Sequence, residues 1–344
     1  MGFDVKRSGR AGEVDARASP PFRRAISAFP WRAAAISIIA RTSMPPFPDT
    51  IRIGTLVRHQ PGLESYLRQI LPHGFESVSI TFGADPGDED TLLRAAEAVA
   101  RALDGTGCVV SALGLYGNPL ETDAAAQATR VGWERLLRLA PLFRTEVVAG
   151  FTGRLRGRPI PQSIARFVEI FRPLAQQARA AGLRIAFENC AMGGDWQSGD
   201  WNIAHNPAAW ERMFDALPED NLGLQWEPCH QMLQLIDPLP QLRRWVGRIF
   251  HVHGKDAQVR HDLLAEHGIA AGRPFAWHRT PGFGDSDWTA IISELRLGGF
   301  RGSIDIEGWH DPVYRDHLEM TGQVHALRHL QRCRGAWVAN PEVD

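Results

Sequence analysis

A short apolar run followed by a longer helical segment recurs eight times between residues 51 and 308, and this repetition limits the fold more than any other feature of the chain. The runs are IRIGTLV (51–57), FESVSITF (75–82), CVVSALGL (108–115), TEVVAGF (145–151), LRIAFEN (183–189), LGLQWE (222–227), RIFHVHG (248–254) and GSIDIEG (302–308). Helical patterns occupy 90–103, 127–140 and 162–181 among the intervening stretches. In the last, Ile164, Phe167, Val168, Phe171, Leu174 and Ala178 recur at i, i+3, i+4 spacing and predict one buried face, while Pro173 within it predicts a kink. Gly74, Gly182 and Gly299 each stand where a helical pattern gives way to a strand, the place of a C-terminal cap. Eight strand–helix units over about 280 residues is the count and size of an α/β (β/α)8 barrel, the TIM barrel. The alternative is an open doubly wound sheet. No G-x-G-x-x-G follows the first run and no P-loop occurs, which speaks against it.

The chain has 344 residues, 44% of them hydrophobic, enough for one large domain. We expect a barrel over 49–335, a basic disordered leader over 1–48 and a tail over 336–344. The leader carries eight Lys/Arg against Asp4, Glu13 and Asp15, a net +5; with −1 for the whole chain, the remainder stands at −6. A mildly acidic body argues against a nucleic-acid groove. Pro30, Trp31 and Arg32 interrupt the apolar part of RRAISAFPWRAAAISIIA, which argues against an export signal; Met44 is an alternative initiator. Cys108, Cys190, Cys229 and Cys333 form no C-x-x-C pair, which suits a reducing, cytoplasmic compartment. No apolar run approaches the ~20 residues that span a bilayer.

In a barrel of this kind the active site lies at the C-terminal ends of the strands. Here the fifth run ends in Phe187-Glu188-Asn189 and the sixth leads into Glu227-Pro228-Cys229-His230. The seventh ends in His251-Val252-His253-Gly254-Lys255-Asp256, and the eighth in Asp305-Ile306-Glu307-Gly308-Trp309-His310. Each residue alone has a plain structural reading, as a solvated loop acid or a hydrogen-bonded histidine. Together, four consecutive strands deliver carboxylate, carboxylate, imidazole and carboxylate to one rim. Acidic groups crowded in this way repel unless a cation holds them. A set of three oxygens and one nitrogen suits Mn²⁺ best, or Mg²⁺, Co²⁺ or Zn²⁺.

In GLRIAFENC, NLGLQWEPCH, RIFHVHGKDA, PGFGDSDW and GSIDIEGWHDP the chain resembles the sugar isomerase/epimerase family with the xylose-isomerase-like TIM barrel, over roughly residues 51–332. That group includes ketose 3-epimerases, inosose dehydratases and isomerases, and shares its fold with endonuclease IV. The resemblance implies metal ligands at Glu188, Glu227, His253 and Glu307, with Glu188 and Glu307 also the catalytic proton-transfer pair. The sixth-strand ligand of the family is usually aspartate. Glu227 has one methylene more, and His230, whose family counterpart faces the substrate, is the alternative ligand. His251 reads as a polar core residue behind the metal ligands. Lys255 and Asp256 face substrate, fix neighbours or form a surface ion pair.

The implied chemistry is proton abstraction beside a carbonyl with a metal-stabilised enediolate, in an isomerase or epimerase. A lyase that eliminates from the same enolate of a keto-cyclitol or 3-keto-glycoside is the alternative. The long segment 191–207 carries Trp196, Trp201, Asn202 and His205, and 257–286 carries Arg260, Trp277, His278 and Arg279. Aromatic faces with polar donors suit sugars, so Trp201, Asn202 and Arg279 join His230, Lys255 and Asp256 as expected substrate contacts. The plainer reading of these segments is a subunit contact, which leaves a homo-oligomer open. No Gly-rich basic cluster marks a phosphate site, which favours a non-phosphorylated carbohydrate substrate. An endonuclease needs further histidines on the early strands, where the ends offer Arg58, His59, Gly83 and Tyr116. A non-catalytic sugar-binding barrel has no need of two flanking bases.

Overall fold

The computed structural model describes residues 51–336, 338 and 341. The expectations for the leader, and most of those for the tail, lie outside the described residues. Ten strands are present: β1 (Arg52–Arg58), β2 (Ser77–Thr81), β3 (Val109–Leu115), β4 (Val147–Gly150), β5 (Arg184–Glu188), β6 (Leu222–Trp226), β7 (Ile249–Gly254), β8 (Asp256–Val259), β9 (Ala276–Arg279) and β10 (Ser303–Ile306). Eight of them close in the order β1-β10-β7-β6-β5-β4-β3-β2, all parallel. This is the (β/α)8 barrel expected from the sequence. β8 and β9 stand apart as an antiparallel pair, with Asp256 opposite Arg279.

The helices are α1 (Leu63–Ile70), α2 (Glu89–Leu103), α3 (Ala124–Leu139), α4 (Ile160–Ala180), α5 (Pro207–Ala216), α6 (Cys229–Met232), α7 (Pro238–Trp245), α8 (His261–His267), α9 (Trp288–Leu297) and α10 (Glu319–Arg334). Acidic and amide caps start several of them. Asp88 accepts from the Thr91 N–H, Asp123 from Ala126 and Asp287 from Ala290. Gly74, Gly182 and Gly299 have φ of 98°, 69° and 76°, the left-handed geometry that ends a helix before a strand. Pro173 lies inside α4, which runs on to Ala180.

The apolar core lies between the barrel and its helices. On α4, Phe167, Phe171, Leu174 and Ala178 are buried, and Phe171 meets Phe187 of β5 edge-on at 4.9 Å. The barrel interior has a different character. Its apolar cluster is Ala112, Val147, Ala149, Ala186 and Phe250. The remaining space is filled by buried polar groups including Ser77, Gln225, His251 and Asp305. The β6–β7 register shifts between Leu224 and Gln225, so that Gln225 stands opposite His251.

Candidate metal centre

Side chains two residues apart on a strand share a face, so each late strand brings a pair of residues to the interior at successive depths. The upper members are Glu188 of β5, Glu227 just beyond β6, His253 of β7 and Glu307 just beyond β10. One ligand atom from each lies within 4.8 Å of the other three, and all four residues are buried. His253 Nδ1 is 3.2 Å from Glu307 and 3.5 Å from Glu188. The backbone of Glu227 is held at both ends by Asn189, which accepts from its N–H at 2.8 Å and donates to its C=O at 2.9 Å. That bracket ties the end of β5 to the end of β6. His230, the alternative ligand, instead places Nε2 3.1 Å from Glu227 Oε1.

The lower members form a continuous hydrogen-bonded chain. Tyr116 donates its hydroxyl to Gln225 at 2.9 Å, and Gln225 donates to His251 Nδ1 at 3.0 Å. His251 Nε2 then faces Asp305 at 2.7 Å, and Asp305 also accepts from Ser77 and Ser111. Because Nδ1 accepts, the His251 proton is on Nε2 and is given to Asp305. Burial holds this imidazole below its ordinary range. His251 is therefore a core residue whose charge demands are met from within the barrel.

The electrostatics of the upper group are those of crowded carboxylates. Burial raises Glu188, and raises Glu227 to about 7. Burial works against the charge on Glu307 too, but Lys255 outweighs it with help from His253 and His310, and the carboxyl is held well below its usual range. Burial likewise opposes the His253 imidazolium, yet Glu188 and Glu307 lift it to about 10. Lys255 is buried with its ammonium 2.8 Å from Glu307 and 3.5 Å from His230. It is an internal counter-ion, and the surface ion pair is not what it makes.

The other expected substrate residues fall into distinct places. Asp256 is fully buried and accepts from the N–H groups of Ala257 and Ser286 and from the Trp288 indole, so it anchors the loop behind β9. Asn202 is buried as well. Its amide donates to the carbonyls of Glu188 and Cys190, and its oxygen accepts from Thr152. Both spend their polar atoms on the protein, so they shape the site rather than reach into it. Arg279, on β9, donates to Asp311 at 3.1 Å and to Gln258 at 3.0 Å. Trp201 is 39% exposed on the 191–207 segment. That segment is pinned by Arg154, which is buried and donates to the carbonyls of Arg158, Asp195 and Trp196.

Two histidines outside the expected set border the cluster. His310 Nε2 is 3.1 Å from Glu307 Oε1, and the ring is 46% exposed. His278, on β9, has its ring 5.2 Å from that of His230 and 5.6 Å from that of His310. Its Nδ1 is 3.3 Å from the Cys229 thiol. Burial, aided by Lys255, lowers both His230 and His278 to about 3, so these two rings are neutral. The β8–β9 pair thus borders the cluster through His278, and the strand pairing within the long 257–286 segment is what only the folded chain makes visible.

Glu227 Oε2 and His253 Nε2 are buried without a partner among the described residues, and Glu227 Oε1, His253 Nδ1 and Glu307 Oε2 meet only the ion-pair contacts within the cluster. Orphaned buried polar atoms are costly, at about 1–3 kcal/mol each. Three carboxylates and an imidazole converging on one point, with Glu227 Oε2 and His253 Nε2 unpartnered, fit a divalent cation of the Mn²⁺, Mg²⁺, Co²⁺ or Zn²⁺ kind. No helix among the described residues is long and apolar enough to cross a membrane.

Comparison with known proteins agrees with the barrel fold. The sequence model of the xylose isomerase-like TIM barrel family matches residues 67–333. The uncharacterised protein YfiH of Bacillus subtilis (strain 168) is 24% identical over 273 residues, 68% of this chain and 84% of that one. An inosose dehydratase of Lacticaseibacillus casei is 27% identical over 149 residues, 42% of this chain and 47% of that one. Among solved structures, the 3-keto-D-glucoside 4-epimerase of E. coli superposes with a TM-score of 0.61 at 17% identity, covering 82% of this chain and all (100%) of that one. The D-psicose 3-epimerase of Clostridium cellulolyticum H10 gives 0.60 at 14%, covering 83% and 100%. With its barrel, its rim of carboxylates and a family match over most of its length, the chain belongs to the xylose isomerase-like TIM barrel family.

Proposed function

We propose that this protein is a divalent-metal-dependent enzyme that moves a proton on the carbon beside a carbonyl of a non-phosphorylated sugar or cyclitol, and that its reaction is an isomerisation or epimerisation. The observation that carries the reading is the convergence of Glu188, Glu227, His253 and Glu307 within 4.8 Å, with both candidate proton-transfer carboxylates in the set. Glu188, Glu227, His253 and Glu307 would hold the cation. When bound, it would supply Lewis-acid polarisation of the substrate carbonyl.

Glu307 lies against the Lys255 ammonium, which keeps it ionised and ready to accept a proton from carbon. Lys255 stays charged in its buried setting, and so offers a fixed positive charge to an oxygen that becomes negative as the proton leaves. Glu188, which comes from β5 and like Glu307 lies near His253 Nδ1, carries the second carboxyl and would return the proton. Neutral His230 and His278 line the approach as hydrogen-bonding groups for hydroxyls. Return at the same carbon from the opposite face inverts it; return at the neighbouring carbon isomerises the substrate.

A lyase is the second reading. It is favoured by the inosose dehydratase relatives and by His310, a partly exposed imidazole beside Glu307 that can protonate a departing oxygen. One experiment tests both. Ketoses, inososes and 3-keto-glucosides are incubated with the protein and Mn²⁺ in D₂O and followed by NMR. Deuterium entering at a carbon next to the carbonyl supports proton abstraction. An epimer or isomer as product supports the first reading and an unsaturated product the second. No deuterium entry with any of the three classes would count against both.

A further inference from the structure

A cavity of about 670 Å³ lies along α10, and none of its lining residues belongs to the metal cluster. Five of those residues are basic, His73, His325, Arg328, His329 and Arg332, and no carboxylate is among the described residues of the lining. The side chains of Arg328 and Arg332 have no ion-pair partner among the described residues, whereas Arg334 on the same helix is paired with Glu76. Four residues apart, the two unpaired guanidinium groups share one face of α10. The neighbouring imidazoles feel burial and cations: burial and Arg332 hold His325 below its usual range, and burial, His325 and Arg332 do the same for His329. The two guanidinium groups thus bring positive charge to a concave volume whose described lining holds no carboxylate to balance it.

The lining is also pre-set. Phe283 stacks on Tyr314 at 4.1 Å and 12°, and on His325 at 4.1 Å and 20°. His325 in turn lies parallel to His329 at 6.4 Å. Gly282, at φ of 94°, lets the loop after β9 run against both rings: a Cβ there would come within 2.9 Å of His325 and 3.0 Å of His329. The Pro-Gly-Phe-Gly segment, which the metal site does not use, therefore builds one side of this cavity. Its volume is in the range of small-molecule sites, and Met320 and Val324 add an apolar part. Paired arginines with imidazole donors suit phosphate, whose oxygens they meet bidentately. A transition metal would leave both arginines unexplained.

We propose that the α10 cavity is a second binding site, for a phosphate group, whether carried by a small phosphorylated metabolite or present as inorganic phosphate or pyrophosphate. The test is a titration of the full chain, freed of metal by chelation, with inorganic pyrophosphate and with AMP at low salt. Binding is read by calorimetry and by the NMR signals of the histidine rings. Saturable binding of at least one probe is expected, with the signals of His325 and His329 moving. The double variant R328Q/R332Q should lose at least about tenfold in affinity, whereas R172Q, on α4, should not. Circular dichroism checks that the variants are folded. Tighter binding of AMP than of pyrophosphate points to a phosphorylated metabolite, and the reverse to the free anion. Absence of saturable binding, binding that survives R328Q/R332Q, or an equal loss in R172Q would overturn the proposal.

Discussion

Two polar layers lie one above the other inside the same barrel, and they are built alike but completed differently. Gln225, His251 and Asp305 form the lower layer; Glu227, His253 and Glu307 stand two residues further along the same strands, about 7 Å higher. In the lower layer every side-chain polar atom has a partner, through Tyr116, Ser77 and Ser111. In the upper layer Glu227 Oε2 and His253 Nε2 have none. Equal burial with unequal satisfaction separates structure from function. A closed network holds the barrel together, and an open one, kept at a cost in stability, awaits something from outside.

The largest effect should come from the upper layer. Glu307→Gln keeps the size of the side chain and removes the base, and turnover should fall by about 10²–10⁴ while metal content, measured by atomic emission, is kept. Near wild-type turnover would leave Glu307 only a binding role. His253→Ala takes away a ligand, so metal affinity should drop by at least about tenfold, with partial recovery of occupancy in excess Mn²⁺. The lower layer should respond in stability instead. Asp305→Ala strands His251, Ser77 and Ser111, and should cost roughly 3 kcal/mol in denaturant unfolding while the protein still takes up metal. Loss of metal binding in that variant would mean that the two layers act as one. Chelation is the converse experiment: removing a cation present at 100 times its Kd should cost about 2.7 kcal/mol, seen as a lower Tm that Mn²⁺ restores. The smallest effect is expected at Trp201, which belongs to neither layer. Trp201→Ala should change stability by no more than about 0.5 kcal/mol, and a raised KM with an unchanged Tm would identify it as a substrate wall.

The eight barrel strands are legible in the sequence because strands covered on both sides read as unbroken apolar runs, and because Gly74, Gly182 and Gly299 mark where helices give way to them. The pair β8–β9 is not legible. Its strands have four residues each, β9 is only half-buried throughout, and its segment Ala-Trp-His-Arg has none of the apolar continuity of the others. The four-residue cluster could be found because each member sits at or just beyond the end of a recognisable strand. The standing of Asn202 and Asp256 could not. A polar residue in a loop gives no sign of whether its atoms will be claimed by nearby backbone, and here they are. His278 lies more than twenty residues past β7 and reaches the site only because the chain doubles back through β9. His310 stands in plain view after the last strand, yet a lone histidine there has no spacing that sets it apart from a solvated one.

The buried ammonium of Lys255 has a consequence for selectivity. With Glu188, Glu227 and Glu307 ionised and His253 neutral, as metal ligation would require, the one lysine would leave the pocket two negative charges in excess, the amount a divalent cation would cancel. A monovalent ion would leave the pocket anionic. A substrate bearing a phosphate close to its reacting carbons would bring surplus negative charge against a buried carboxylate cluster. On the proposed reading the loaded pocket would suit uncharged molecules, and Lys255 would set the valence of the cation that balances it.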